Sequence, residues 1–276
     1  MTAAEQEKNH PLAFFVLVYA ISAPFWIIGI GQGKSGLPDN IPITDIGATL
    51  SPFIAACILI HRENGGSGLK RFLCRVLDYR RIGRKRWLIT AVFLFPGLYV
   101  ATYVAMRLAG LPVAQQLDVS ASLLGALAMF TIAATLEELG YSAYATDALH
   151  RRFAAFNTAM LVGIPWAVWH LPSMMKMEQT PQLIGWGLLA TVAFRVMTVW
   201  LYNNTNHSLL AVIIAHAIGT TARSAFPGGR QGYELGNGSI GYFIIILAAV
   251  CVTALWGTNT LRDFLGRSPR GGRTDA

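Results

Sequence analysis

The chain has 276 residues, of which 54% are hydrophobic and 13% charged, with a formal net charge of +8. Soluble domains hold about a quarter of their residues as Asp, Glu, Lys or Arg and keep apolar runs short, so this composition excludes an ordinary water-soluble globule. The three cysteines, Cys57, Cys74 and Cys251, are scattered and odd in number with no CxxC pair, which excludes a disulfide framework or a thiolate metal site.

Taken in chain order, eight apolar segments approach the ~20 residues that a helix needs to cross a bilayer. They run roughly Leu12–Ile30, Ile46–Ile60, Trp87–Leu108, Leu123–Ala145, Ala155–Leu171, Leu183–Tyr202, Leu209–Phe226 and Ile240–Trp256. The pattern predicts an all-α polytopic transmembrane bundle of about eight spans. It forms a single unit over residues 1–266, with a disordered tail over 267–276. The first segment follows a short polar stretch and lacks a small-residue cleavage site, so it reads as a retained span rather than a signal peptide.

Between spans two and three, "LKRFLCRVLDYRRI" places Leu69, Phe72, Leu73, Val76 and Leu77 at helical spacing. Lys70, Arg71, Arg75, Arg80 and Arg81 occupy the other positions. This predicts an amphipathic interfacial helix on anionic lipid. Charge also sets the orientation. With eight spans, 16 Lys and Arg fall on the side of the termini and the loops after spans two, four and six, against 4 on the other side. The positive-inside rule then places both termini in the cytoplasm. The net positive charge needs no nucleic-acid partner; the expected partners are membrane lipids and a membrane-associated protein or peptide.

Three spans carry ionisable residues of a catalytic kind: Glu137 and Glu138 in span four, His170 in span five and His216 in span seven. A charged side chain at the centre of a membrane helix costs about 3 kcal/mol, against a gain of about half a kcal/mol for each Leu. Such residues face the bundle interior and mark function. Glu138 shares a helical face with Thr131, Thr135 and Ser142, while His216 shares one with Thr220 and Arg223. Arg195, in the middle of span six, needs an anionic partner, and pairing it with Glu138 answers both costs. A carboxylate and two imidazoles in a wet cavity can activate water for attack on a carbonyl and stabilise the oxyanion. The same residue types also make proton relays, so an ion-coupled transporter is a competing reading.

"EELGYSAY", "WAVWHLP" and "WLYNNTNHSLLAVIIAHAIGTT" together resemble the CAAX-protease and bacteriocin-processing family of intramembrane endopeptidases. That family includes the type II CAAX prenyl proteases and lysostaphin-resistance-like proteins. Its pattern is EExxxR, then an aromatic residue four before a His, then HxxxN or HxxxD. It falls here on Glu137, Glu138 and Ser142, then Trp166 and His170, then His216 and Thr220, within a motif-bearing core of about 120–225. The resemblance implies an endopeptidase in which Glu137 and His170 activate water, while His216 and Thr220 serve the oxyanion. Glu138, Ser142, Trp166 and Arg195 would support them. The motif arginine is Ser142 and the motif Asn or Asp is Thr220, so a catalytically silent scaffold or immunity protein is the alternative within the family. No obligatory cofactor is expected. If a metal is used, it is zinc on Glu137, His170 and His216, although the HExxH helix usual in such sites is missing. The expected location is a bacterial inner (plasma) membrane.

Overall fold

The computed structural model describes residues 10–29, 43–117 and 121–262. The 267–276 tail lies outside these residues, as do Lys8 and Lys34 of the charge count. Every regular element among the described residues is helical: α1 (Pro11–Ile28), α2 (Ile43–Leu73), α3 (Lys85–Leu108), α4 (Ser122–Glu138), a π-helix (Leu139–Thr146), α5 (Asp147–His150), α6 (Ala155–Lys176), α7 (Pro181–Asn204), α8 (Leu209–Ser224), α9 (Gly229–Tyr233) and α10 (Ser239–Trp256).

Among the described residues each of the eight apolar segments is helical, but six stretches are long and apolar enough to cross a membrane: Pro11–Ile28, Thr44–Leu77, Lys85–Leu108, Ser122–His150, Pro181–Asn204 and Leu235–Trp256. That is enough for a multi-pass membrane protein, and two short of the expected eight. The two that miss are informative. Helix α8 has only 16 residues, and α6 spends Asn157, Thr158, Pro165, His170, Pro172 and Ser173 on polar or helix-bending positions. These helices carry the two candidate histidines.

Successive long helices run in opposite directions, and polar contacts pin each end. At one end Arg75, just beyond α2, bonds Asp147 at 2.7 Å, the Ala155 amide reaches the Asn259 carbonyl at 2.9 Å, and Asn203 reaches the Thr260 carbonyl at 2.9 Å. At the other end Lys176 approaches Asp45 at 3.5 Å and Gln179 bonds Glu234 at 3.2 Å.

Where the sequence predicts an interfacial helix, the chain is α-helical only as far as Leu73. Gly65 breaks α2 with φ 66°, ψ −172°, a backbone state that glycine reaches without steric cost. Past Leu73 the chain tightens into two 3₁₀ turns, Cys74–Leu77 and Tyr79–Ile82. Tightening to three residues per turn changes which residues share a face. Phe72 and Ile82 are buried and Arg75 turns into the bundle, while Lys70, Arg71, Arg80 and Arg81 stay exposed. Asp78 caps α8: its carboxylate accepts from the Leu209 amide at 3.0 Å, the Leu210 amide at 3.2 Å and the Ser208 hydroxyl at 2.7 Å. It satisfies donors that the start of α8 leaves unpaired.

The core has two parts. One gathers α3, α7, α8 and α10 around Phe95, Met106, Met197 and Leu201, and the other gathers α1, α2, the π-helix and α6 around Phe14, Val18, Tyr144 and Trp166. Phe194 packs against both. The candidate site lies at this seam.

Candidate active site

Glu137 and Glu138 close α4, and the chain then widens into the π-helix. π-Helices are rare and recur at functional sites. This one is wholly buried, and Gly140 lets it press onto α2: a Cβ there would meet the Pro52 carbonyl oxygen at 2.6 Å. Small residues at such a crossing let helices approach where lipid supplies no hydrophobic drive.

Glu138 is fully buried and fully engaged. Arg195, itself 0% exposed, donates from Nη1 to Oε2 at 2.8 Å and from Nη2 to Oε1 at 3.2 Å. The Ser142 hydroxyl donates to Oε2 as well and accepts from Arg195 Nη1 at 3.2 Å. His216 Nδ1 lies 2.9 Å from Oε1. A carboxylate held by an arginine fork can only accept, so Nδ1 carries the proton and His216 turns Nε2 toward the cavity. The guanidinium also sits 4.3 Å from the Trp166 ring centroid, where the π face favours a cation. Thus α7 supplies the cation that EExxxR would have supplied from α4. Thr131 and Thr135 do not join this network. Their hydroxyls donate to the Leu127 and Thr131 carbonyls on an exposed face, because the short threonine hydroxyl reaches its own helix more easily than a residue off its face.

Glu137 differs. One carboxylate oxygen accepts from Trp166 Nε1 at 2.9 Å, and the side chain lines a cavity of about 490 Å³ shared with Trp166, His170, Phe194, His216 and Thr220. His170 is held edge-on by Trp166 and Trp169, with ring centroids 5.2 and 4.8 Å away. Phe194 packs beside His216 at 5.1 Å and is itself stacked on Phe95 at 4.3 Å. Thr220 spends its hydroxyl proton on the His216 carbonyl at 3.1 Å.

Among the described residues no three His, Cys, Asp or Glu side chains are grouped to hold a metal ion. Glu137, His170 and His216 line one cavity but are not grouped as a zinc ligand set. His216 Nδ1 faces Glu138 instead.

Sequence reasoning missed the clasp below the site. Arg75 Nη1 donates to Asp147 at 2.7 Å and to the Ala143 carbonyl at 3.0 Å, and Nη2 donates to the Tyr202 hydroxyl. Tyr202 in turn donates to Asp147 at 3.0 Å. These bonds tie the π-helix to α7 and to the segment after α2. The only sequence signal was an aspartate ten positions beyond Glu137, which resembles an ordinary helix end.

All of these site residues from Glu137 to Thr220 fall within one family match. Residues 119–222 match the Rce1-like family, described as type II CAAX prenyl endopeptidase. This part of the chain is similar to that family. It is also 26% identical over 224 residues to CAAX prenyl protease 2 of Methanococcus maripaludis, a comparison covering 76% of this chain and 82% of that protein. The matched segment begins just before α4 and ends within α8, so it contains both glutamates, both histidines and Arg195, whereas α1–α3 and α10 lie outside it.

Proposed function

We propose that this chain is an intramembrane endopeptidase that hydrolyses a peptide bond of a membrane-associated substrate. The observation that carries the reading is the contrast between the two glutamates: Glu138 is bonded on both oxygens, while Glu137 lines the cavity with His170 and His216. Glu137 takes a proton from a water held by His170, and the resulting hydroxide adds to the scissile carbonyl. His216, oriented through Nδ1 by Glu138, presents Nε2 to the oxyanion and stabilises it there. Collapse of the tetrahedral intermediate expels the amine, which receives the proton from Glu137. Arg195, Ser142 and Trp166 hold the carboxylates in place.

All eight apolar helices cross the membrane in this reading as one bundle, with both termini on the cytoplasmic side of a plasma membrane. The exposed cations of the 62–86 segment meet lipid headgroups there. The relative's name describes a prenylated CaaX substrate, and such a peptide is the natural first probe. Purified full-length chain in lipid nanodiscs should cleave a quenched farnesylated CaaX peptide or its unprenylated counterpart. Glu137→Gln, His170→Ala and His216→Ala should each abolish cleavage while the protein stays folded. Wild-type turnover by the Glu137→Gln enzyme would refute the water-activating role.

The geometry of Thr220 favours a second reading, a silent family member acting as a membrane scaffold. Its hydroxyl proton is already given to the His216 carbonyl. Folded wild-type protein that cleaves neither probe would favour this second reading.

A further inference from the structure

The two ends of the bundle differ in charge, and the cavity belongs to one of them. Of the described Lys and Arg, the nine from Arg62 to Arg86, together with Arg151, Arg152 and Arg262, gather at the end of the Arg75–Asp147 clasp. The opposite end holds four: Arg107, Lys176, Arg223 and Arg230. The cavity wall takes its outer residues from this second end. Asp45 opens α2, Met177 follows α6, Arg223 ends α8, and Arg230 lies in α9. No residue of the 62–86 segment, of 143–158 or of 199–212 lines it. Toward the basic end the floor is sealed by Tyr141, Tyr144, Tyr202, Leu209 and Ile213, none more than 3% exposed.

Cationic loops are retained in the cytoplasm, and the bias in short loops sets orientation. We propose that the cavity holding Glu137, His170 and His216 opens on the face of the membrane away from the cytoplasm. On the endopeptidase reading above, the substrate is then an exported peptide or an outward-facing segment of a membrane protein. A polypeptide still in the cytoplasm would meet the sealed, basic end. Water reaches Glu137 from the same outer side.

The test is labelling sidedness, which needs no substrate. In full-length chain carrying Cys57→Ser, Cys74→Ser and Cys251→Ser, single cysteines are introduced as Leu117→Cys, Met177→Cys or Ser67→Cys. Leu117 is exposed in the α3–α4 connection at the cavity end, Met177 lines the mouth, and Ser67 is exposed at the basic end. A membrane-impermeant maleimide is applied to spheroplasts and to inverted vesicles of a bacterial expression host. The Leu117→Cys and Met177→Cys variants should label at least tenfold more in spheroplasts, and the Ser67→Cys variant at least tenfold more in inverted vesicles. The reverse pattern, equal labelling from both faces, or a Leu117→Cys variant that labels beside a Met177→Cys variant that does not, would overturn the proposal. Failure of the peptidase reading would appear as absent cleavage and leave the labelling unchanged.

Discussion

Arg195 and Glu138 show how a costly residue becomes structural. Each alone would be an uncompensated charge in a buried seam; together they form a two-point fork, with Ser142 and His216 taking the remaining capacity of the carboxylate. Removing one partner of a buried pair costs about 3–5 kcal/mol, because the other is stranded. Arg195→Ala and Glu138→Ala should each lower the melting temperature in detergent by that scale of stability, and the double variant should lose less than the sum. Additive losses would show that the two do not act as a pair. It follows that Glu138 is no minor companion of Glu137, although the sequence alone suggests a secondary role. Thr220 is the residue where chemistry has room to improve. An asparagine there keeps a side-chain amide free to donate beyond the helix, and one oxyanion donor is worth about 10²–10³ in kcat. Thr220→Asn should raise turnover of a cleaved probe at least tenfold with little change in KM. Unchanged kcat would remove Thr220 from the oxyanion site.

Elements were legible where residue type alone decides them, and hidden where backbone geometry decides. Apolar runs gave every long helix, and charges inside those runs pointed to the residues now gathered at the seam. Nothing in "LGYSAYAT" announces a π-helix, since its residues suit an α-helix equally well. Helical periodicity also put Arg75 on the lipid face, and it could not foresee that Gly65 and the 3₁₀ turns would rotate that side chain inward. The clasp partners Arg75 and Asp147 are 72 residues apart, beyond any local pattern. The π-helix makes a prediction of its own. In Gly140→Ala, the added carbon would lie 2.6 Å from both the Pro52 carbonyl oxygen and its Cβ, so backbone must move. Overpacking of that kind costs about 1–3 kcal/mol. The variant should melt lower and cleave more slowly, because the shift acts directly on the helix that follows Glu138. A wild-type melting temperature would mean that α2 yields freely.

At the level of the whole molecule, hydropathy and function pull against each other. The two helices that fall short as spans, α6 and α8, bring His170 and His216 to the cavity, and they are held by neighbours rather than by lipid preference. Helix α6 lies along α7, with Gly163 3.1 Å from the Arg195 side chain once a Cβ is added. Helix α8 is anchored at its first turn by Asp78.

The position of Arg195 also has a consequence for biosynthesis. In an EExxxR helix the counter-charge leaves the ribosome almost together with the glutamates. Here it follows Glu138 by 57 residues, on a helix that emerges after α6. Until α7 arrives, α4 must enter the bilayer with unneutralised acid, at about 3 kcal/mol for each charged group. A nascent chain halted at Lys176 should therefore leave α4 incompletely inserted, and quality-control proteases would see it as unfinished. With its counter-charge on another helix, the segment that holds Glu137 and Glu138 is a late-assembling part of the protein.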